Sequence, residues 1–268
     1  MPALILIRGG GDLASGVALR LRRVGLNVVI TELPQPLAVR RTVCFAEAVH
    51  EGQTTVEGLT ARYIPDADDM LKIVNALAKG QIPVIVDPDC KSAQTLHPLV
   101  IVDARMTKRP PEPFPHRALL YLGLGPGFIA GQNCHAVIET QRGHSLGRVI
   151  WEGTTRPDTT KPEGDPRRAL RAPADGALTA RAQIGEHVEE GQVIAEIDGQ
   201  PVTAPFAGVL RGLLRPGLRV TRGTKIGDVD ARDDPRLCQF VSDKALAVGG
   251  GVLEALLTRP EVREILYR

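Results

Sequence analysis

Apolar and polar positions along the chain fall into a pattern that changes period several times. Ala3 to Ile7 (ALILI) is an unbroken apolar run, the signature of a strand buried on both faces. From Asp12 to Val24 the apolar positions are Leu13, Val17, Leu21 and Val24, with Arg20, Arg22 and Arg23 on the other side. That spacing predicts a helix, and Gly25 ends it. Asn27 to Thr31 (NVVIT) is a second buried strand, followed by Glu32. A βαβ opening predicts a parallel sheet. Asp68 to Ala78 has helical character, and the strands Ile82–Val86 and Leu99–Val102 run into Asp87 and Asp103. Carboxylates at strand ends belong to the ligand-facing edge of an α/β sheet, or they cap the next turn.

From Leu119 to Ile150 the pattern shortens. Apolar runs broken by glycines (LLYLGLG, AVIE, GRVIW) predict β hairpins at the edge of the sheet. Thr154 to Pro166 reads as a linker or ordered surface loop. From Ala172 the chain repeats at an offset of 32 residues. Ala172, Pro173, Gly176, Leu178, Gly185, Val188, Gly191 and Ile194 recur as Ala204, Pro205, Gly208, Leu210, Gly217, Val220, Gly223 and Ile226. Each half is too small to bury its own apolar face, so the two are expected to interlock. This resembles the barrel-sandwich hybrid of biotinyl and lipoyl domains. The joining segment Ile197–Val202 lacks their modified lysine, so a structural or docking role is expected. Near the C-terminus Ser242 and Asp243 suit a helix start, and Gly249, Gly250 and Gly251 imply close backbone approach to a helix or a ligand.

The expected fold class is an α/β N-terminal Rossmann-like domain (1–116), a β-rich segment and linker (117–168), a barrel-sandwich hybrid module (169–232) and terminal helices (233–268). Composition adds little: 43% hydrophobic, 24% charged and a net charge of +2 describe an ordinary globular chain. No basic run marks a nucleic-acid partner, and no apolar stretch reaches the ~20 residues of a membrane span. Leu4–Ile7 runs into glycines rather than a cleavage site, so no signal peptide is expected. Cys44, Cys90, Cys134 and Cys238 are isolated in sequence, which suits reduced thiols in a cytoplasmic protein and no metal site.

Candidate chemistry centres on IRGGGDLASGVA, Ile7 to Ala18. Gly9, Gly11 and Ala14 fit G-x-G-x-x-A between a strand and a helix, and Glu32 stands where such folds place a ribose-binding acid. Gly9, Gly10 and Gly11 are therefore candidate cofactor-binding residues. Asp12 sits where phosphates would approach. The loop resembles the NAD-binding loop of siroheme synthase dehydrogenase/chelatase domains, which tolerates such an aspartate. Asp12 reads as a general base, as a metal-facing acid or as a plain helix cap. A second cluster, HAVIETQRGHSLG, places His135 and Glu139 on one strand face, with Arg142 and His144 in the following turn. Glu139, Arg142 and His144 suit an anionic ligand or a metal centre, with His144 a second catalytic candidate. Arg40 and Arg41 are a candidate phosphate clamp.

The stretches RGGGDLASGVALRL, ELPQPLAVRRTVCFAEAV, VDARMTKR, LGPGFIAGQNCHAVIETQRGHSLGRVI, APFAGVLRGLL and SDKALAVGGGVLEA resemble, in order, the YqeB-like family of selenium-dependent molybdenum hydroxylase system proteins. At the loop, Gly10 and Ser15 replace the family's Ala and Thr conservatively. The resemblance implies an accessory protein that inserts, modifies or protects a molybdenum hydroxylase's cofactor. It implies a nucleotide or molybdopterin dinucleotide as ligand and the client hydroxylase as partner, with a homodimer compatible. Two other readings stay open: an NAD-dependent oxidoreductase acting on a small substrate, and a non-catalytic assembly scaffold.

Overall fold

The computed structural model describes residues 3–112, 118–158 and 164–266. Contacts divide them into two compact units, one within Met1–Pro36, Phe45–Asp158 and Val241–Arg268, the other within Leu37–Cys44 and Thr159–Phe240. The expected boundary at 116/117 and part of the Thr154–Pro166 linker lie outside the described residues.

The first unit is built on one nine-stranded sheet. Its strands are β1 (Leu4–Arg8), β2 (Asn27–Glu32), β3 (Gln53–Val56), β4 (Leu59–Ile64), β5 (Ile82–Val86), β6 (Val100–Asp103), β7 (Leu120–Leu124), β8 (Ala136–Ile138) and β9 (Val149–Ile150). Their order is β3-β4-β5-β2-β1-β6-β7-β8-β9. Neighbours from β4 to β8 are parallel, while β3 and β9 add to the two edges antiparallel. Every residue of β1 is buried, as expected for a central parallel strand covered on both faces. The helices are α1 (Asp12–Arg23), α2 (Ala48–Glu51), α3 (Met70–Ala78), α4 (Ala93–Leu96), α5 (Asp243–Thr258) and α6 (Pro260–Leu266).

The hairpins expected over 119–150 are replaced by parallel strands β7 and β8, and only β9 returns antiparallel. Glycines misled the reading because they serve packing as well as turns. A Cβ on Gly123, within β7, would overlap the Phe128 ring, and one on Gly127 would overlap the Arg109 carbonyl. Gly249 and Gly251 of α5 have the same origin. A Cβ on Gly249 would lie 2.6 Å from the Gly16 carbonyl oxygen of α1, and one on Gly251 would overlap the Gly147 carbonyl. Close backbone approach is therefore to protein, not to a ligand. Ser242 caps α5 by accepting the Ala245 N–H.

In the second unit the strands are β10 (Ala169–Arg171), β11 (Gly176–Ala180), β12 (His187–Val188), β13 (Val193–Ile197), β14 (Gln200–Thr203), β15 (Gly208–Leu213), β16 (Arg219–Val220) and β17 (Lys225–Asp230). They form two four-stranded antiparallel sheets, β10-β17-β15-β12 and β14-β13-β11-β16. The expected class, a Rossmann-like domain with a separate β-rich segment and a barrel-sandwich hybrid module, is thus corrected to a large mixed sheet and two antiparallel sheets. Two pairings explain the difference. The strands of 120–150 extend the first unit's sheet. β10, which precedes the repeat, pairs with β17 at the end of its second copy. Between the sheets lies an aliphatic core that includes Leu178, Ile194, Leu210 and Ile226.

This unit also buries charge. Asp228 is 1% exposed and accepts from Arg168 at 2.7 Å, Arg211 at 2.8 Å and Lys225 at 3.1 Å. The Arg232 side chain, hydrogen-bonded to Asp230, holds the latter's carboxyl well below the usual carboxylate range against the opposing effect of burial. A carboxyl depressed on folding stabilises above its unfolded pKa of about 4 and loses that contribution as pH falls through the folded value. Urea unfolding should therefore show a stability gap between wild type and Asp230→Asn that is full at neutral pH and closes under strong acid.

Among the described residues no helix is long and apolar enough to cross a membrane.

Candidate functional site at the carboxyl edge of the large sheet

Chain order fixes where the first unit would take a ligand. From β1 the chain moves outward to β2, then returns across β1 to β6 and continues to β7. The topological switch therefore lies between β1 and β6. In open α/β sheets ligands settle outside the carboxyl ends of the strands at such a point.

The glycine turn leaves β1 here. Gly9 adopts φ +91°, a left-handed conformation suited to glycine, and donates its N–H to Thr31 at 2.7 Å. A Cβ on Gly9 would lie 3.5 Å from the Arg105 backbone. The turn thus faces the loop that follows β6. Gly10 is enclosed by the chain itself. Its N–H donates to Glu32 Oε2 at 2.6 Å, and its carbonyl accepts from Ala46 N–H at 2.9 Å. A Cβ there would come 2.9 Å from the Ala46 nitrogen. Ser15 supports the same packing, donating to the Gly10 carbonyl and accepting from Phe45 N–H. Gly11 differs: φ is −71°, and a Cβ would meet nothing within 4 Å.

This arrangement tests a dinucleotide directly. Glu32, expected at a ribose, accepts the Gly10 and Leu33 N–H groups, so it closes the turn. Burial pushes its carboxyl above the usual range, and those two N–H donors pull the other way. The flank at Gly11 is open, with α1 beginning beside it. Asp12 is not the helix cap; the cap position is Gly11, and Asp12 stands in the first turn of α1.

Across the switch a network centred on Asp103 joins Arg8 at the end of β1, Tyr121 near the start of β7 and Arg105 in the loop after β6. Arg8 and Asp103 are 4% and 1% exposed and pair at 3.1 Å. Asp103 also accepts from the Tyr121 hydroxyl at 3.0 Å and from Arg105 Nη2 at 2.8 Å. Burial, then the neighbouring Asp103, raises the Tyr121 pKa. Arg105 reaches Glu112 as well, at 3.1 Å. Its loop carries two non-glycine residues in left-handed conformation, Met106 (φ 55°) and Lys108 (φ 60°). Such strained residues persist where the surroundings over-determine them, often beside ligands. Of this network only the Asp103 strand end was apparent in the sequence. The arginine that ends the first apolar run and the Asp-Ala-Arg that closes β6 were the available signals.

Strand-end carboxylates share one habit. Glu32 binds the Gly10 and Leu33 N–H groups, Asp87 those of Lys91 and Ser92, Asp103 that of Arg105, and Glu139 those of Gln141 and Arg156. Each folds a following or neighbouring loop against its strand.

The second sequence cluster is dispersed. His135 precedes β8 and accepts the Tyr121 N–H on Nδ1, at the opposite strand end from Glu139. Glu139 is 2% exposed and serves its loop. Arg142 forms two hydrogen bonds with Asp243, at 2.5 and 2.6 Å, so its guanidinium anchors the start of α5. His144 is exposed in the turn, and its carbonyl accepts from Arg148. Arg40 and Arg41 belong to the other unit, where Arg40 donates to the Leu237 and Phe240 carbonyls and Arg41 to that of Leu213. Glu139, Arg142, Arg40 and Arg41 thus each hold protein partners in this structure.

All four cysteines are buried and none is in a disulfide. Burial pushes Cys90 up to about 12, Cys134 up to about 11 and Cys238 upward. Thiols in that range are poor nucleophiles near neutrality. Iodoacetamide at neutral pH should leave all four unlabelled in the native protein and label all four in urea, as read by mass spectrometry. Among the described residues no group of three or more His, Cys, Asp or Glu is placed to hold a metal ion.

No family model matches the chain. Among solved structures it aligns with an aspartoacylase family protein from Mesorhizobium loti (11% identity, 85% of this chain and 84% of that one, TM-score 0.26). It also aligns with a succinylglutamate desuccinylase/aspartoacylase from Rhodobacter sphaeroides (17% identity, 85% of each chain, TM-score 0.25). Likenesses this distant assign neither fold nor chemistry. Sequence comparison is stronger: the chain is 46% identical over 258 residues to "Uncharacterized protein YqeB" of Escherichia coli (strain K12). The match takes in 95% of this chain and 47% of that protein, so the chain spans about half the length of the curated relative it matches. Through that relative, and over nearly all of its own length, the chain's likeness to YqeB is supported.

Proposed function

We propose that the chain is an accessory factor in the maturation of a selenium-dependent molybdenum hydroxylase. In this reading it holds an anionic nucleotide or a molybdopterin-type dinucleotide at the switch between β1 and β6. The biological setting rests on the motif resemblance alone; the similarity to YqeB supports the family label. One observation carries the ligand: Gly9 and Gly10 are packed by protein, whereas Gly11 keeps an open flank at the start of α1. Oriented backbone N–H groups and the helix dipole favour an anion there. Asp12, in the same turn, would orient or exchange a proton with the bound group.

Gly11→Ala is the discriminating variant, since its φ suits alanine and the added methyl meets nothing in the protein. Calorimetric titration with NAD, ATP and molybdopterin cytosine dinucleotide should show binding of the pterin dinucleotide to wild type. Gly11→Ala should keep the wild-type unfolding curve and bind at least ~10-fold more weakly, the cost of about 1.4 kcal/mol. Silence with all three ligands, or equal binding by the variant, would remove the reading.

A further inference from the structure

The two copies of the 32-residue repeat place equivalent loops of opposite charge at the outermost strands of the two antiparallel sheets. In the first copy the loop is QIGEHVEEGQ (183–192), in the second RPGLRVTRGT (215–224). Their backbones correspond. Gly185 and Gly217 both have positive φ (99° and 86°), as do Gly191 and Gly223 (82° and 84°). Val188 and Val220 are both buried. Each loop encloses a two-residue strand, β12 or β16, and each strand is the outermost of its sheet.

The side chains do not correspond. The first loop carries Glu186, Glu189 and Glu190, all exposed. The second carries Arg215, Arg219 and Arg222, of which Arg219 and Arg222 are exposed. Folding sets the glycines and the valines, and it would be served equally by uncharged residues at the solvent positions. Three acids in one loop and three arginines in its repeat counterpart, with Glu190 and Arg222 at equivalent positions, is therefore a pattern beyond what the fold needs.

Edge strands are templates for another chain, and charge decides which partner they accept. Like loops repel: β12 against β12 opposes glutamates, and β16 against β16 opposes arginines. The opposite pairing is complementary. We infer that this unit binds a second copy of the chain through a heterologous contact, with the acidic β12 loop of one protomer against the basic β16 loop of its partner. Complementary charge of this kind sets partner choice and association rate, and salt weakens it. The contact is independent of the cofactor reading.

The test uses the full chain in sedimentation velocity at low and high salt. Wild type should self-associate near ~20 mM salt, where screening extends over about 20 Å, and weaken by at least tenfold near ~0.5 M. Two double variants reverse one loop each, Glu189→Lys/Glu190→Lys and Arg219→Glu/Arg222→Glu. Each leaves both loops of a molecule with the same dominant sign. Each alone should lose association by about tenfold or more, while an equimolar mixture of the two should recover it. Circular dichroism of each variant should match wild type, since all four positions are exposed. A wild type that is monomeric at low salt, or association untouched by either reversal, would overturn the inference. So would a mixture that associates no better than its components.

Discussion

Gly249→Ala should cost the protein about 3 kcal/mol, the upper end of what one methyl does in a close-packed interior. The reason is geometric. α1 and α5 cross where Gly16 and Gly249 face one another, and the new Cβ would lie 2.6 Å from a backbone oxygen that no rotamer change can move. The neighbouring position supplies the control. A Cβ on Gly250 meets nothing within 4 Å, and this glycine is inside a helix of 16 residues. Gly250→Ala should therefore stabilise by about 0.5–1 kcal/mol, the ordinary difference in helix propensity. Urea unfolding of the two variants should move in opposite directions. Equal and small shifts would mean that the helices do not cross at these glycines.

The second large effect belongs to Asp103. Removing a carboxylate from a buried pair leaves its cation without compensation, at a cost of about 3–5 kcal/mol. Asp103→Ala should reach that range, because Arg8 is nearly inaccessible and Arg105 and Tyr121 also converge on the same carboxylate. Tyr121→Phe removes one neutral donor and should cost about 1 kcal/mol. The double replacement Arg8→Met/Asp103→Leu should recover much of the single-variant loss, since apolar substitution of an intact buried pair is often neutral. Thermal unfolding of the four proteins distinguishes a charge network from simple packing. If Asp103→Ala proved no worse than Tyr121→Phe, the pair would not be a buried ionic contact.

Hydropathy alone made the first strand, the first helix and the second strand legible, because their apolar periods are strong and their ends carry glycine or charge. The same reading failed between 119 and 150. A short apolar run with an internal glycine looks alike as a hairpin arm and as a central parallel strand, and only the Phe128 ring lying on Gly123 separates them. The candidate site was half visible. Glycine spacing located the turn, but nothing in the spacing showed that Glu32 would close on Gly10, or that Phe45 and Ala46 would pack against it. His135 and Glu139 share parity along a strand. Parity places residues on one face of a sheet, and these two sit at opposite ends of it. Arg142 found Asp243, 101 positions away, a contact that local reasoning could not reach.

The carboxylates that tie loops to strand ends have a consequence for how this protein can change. Glu32, Asp87 and Glu139 each secure their loops through the backbone N–H groups of particular residues, independently of the side chains those residues carry. A loop fastened through its main chain can exchange its side chains while its anchorage stays in place. Diversification at this edge is therefore modular: substitutions in one loop can retune what it touches, and the neighbouring loops keep their own fastenings.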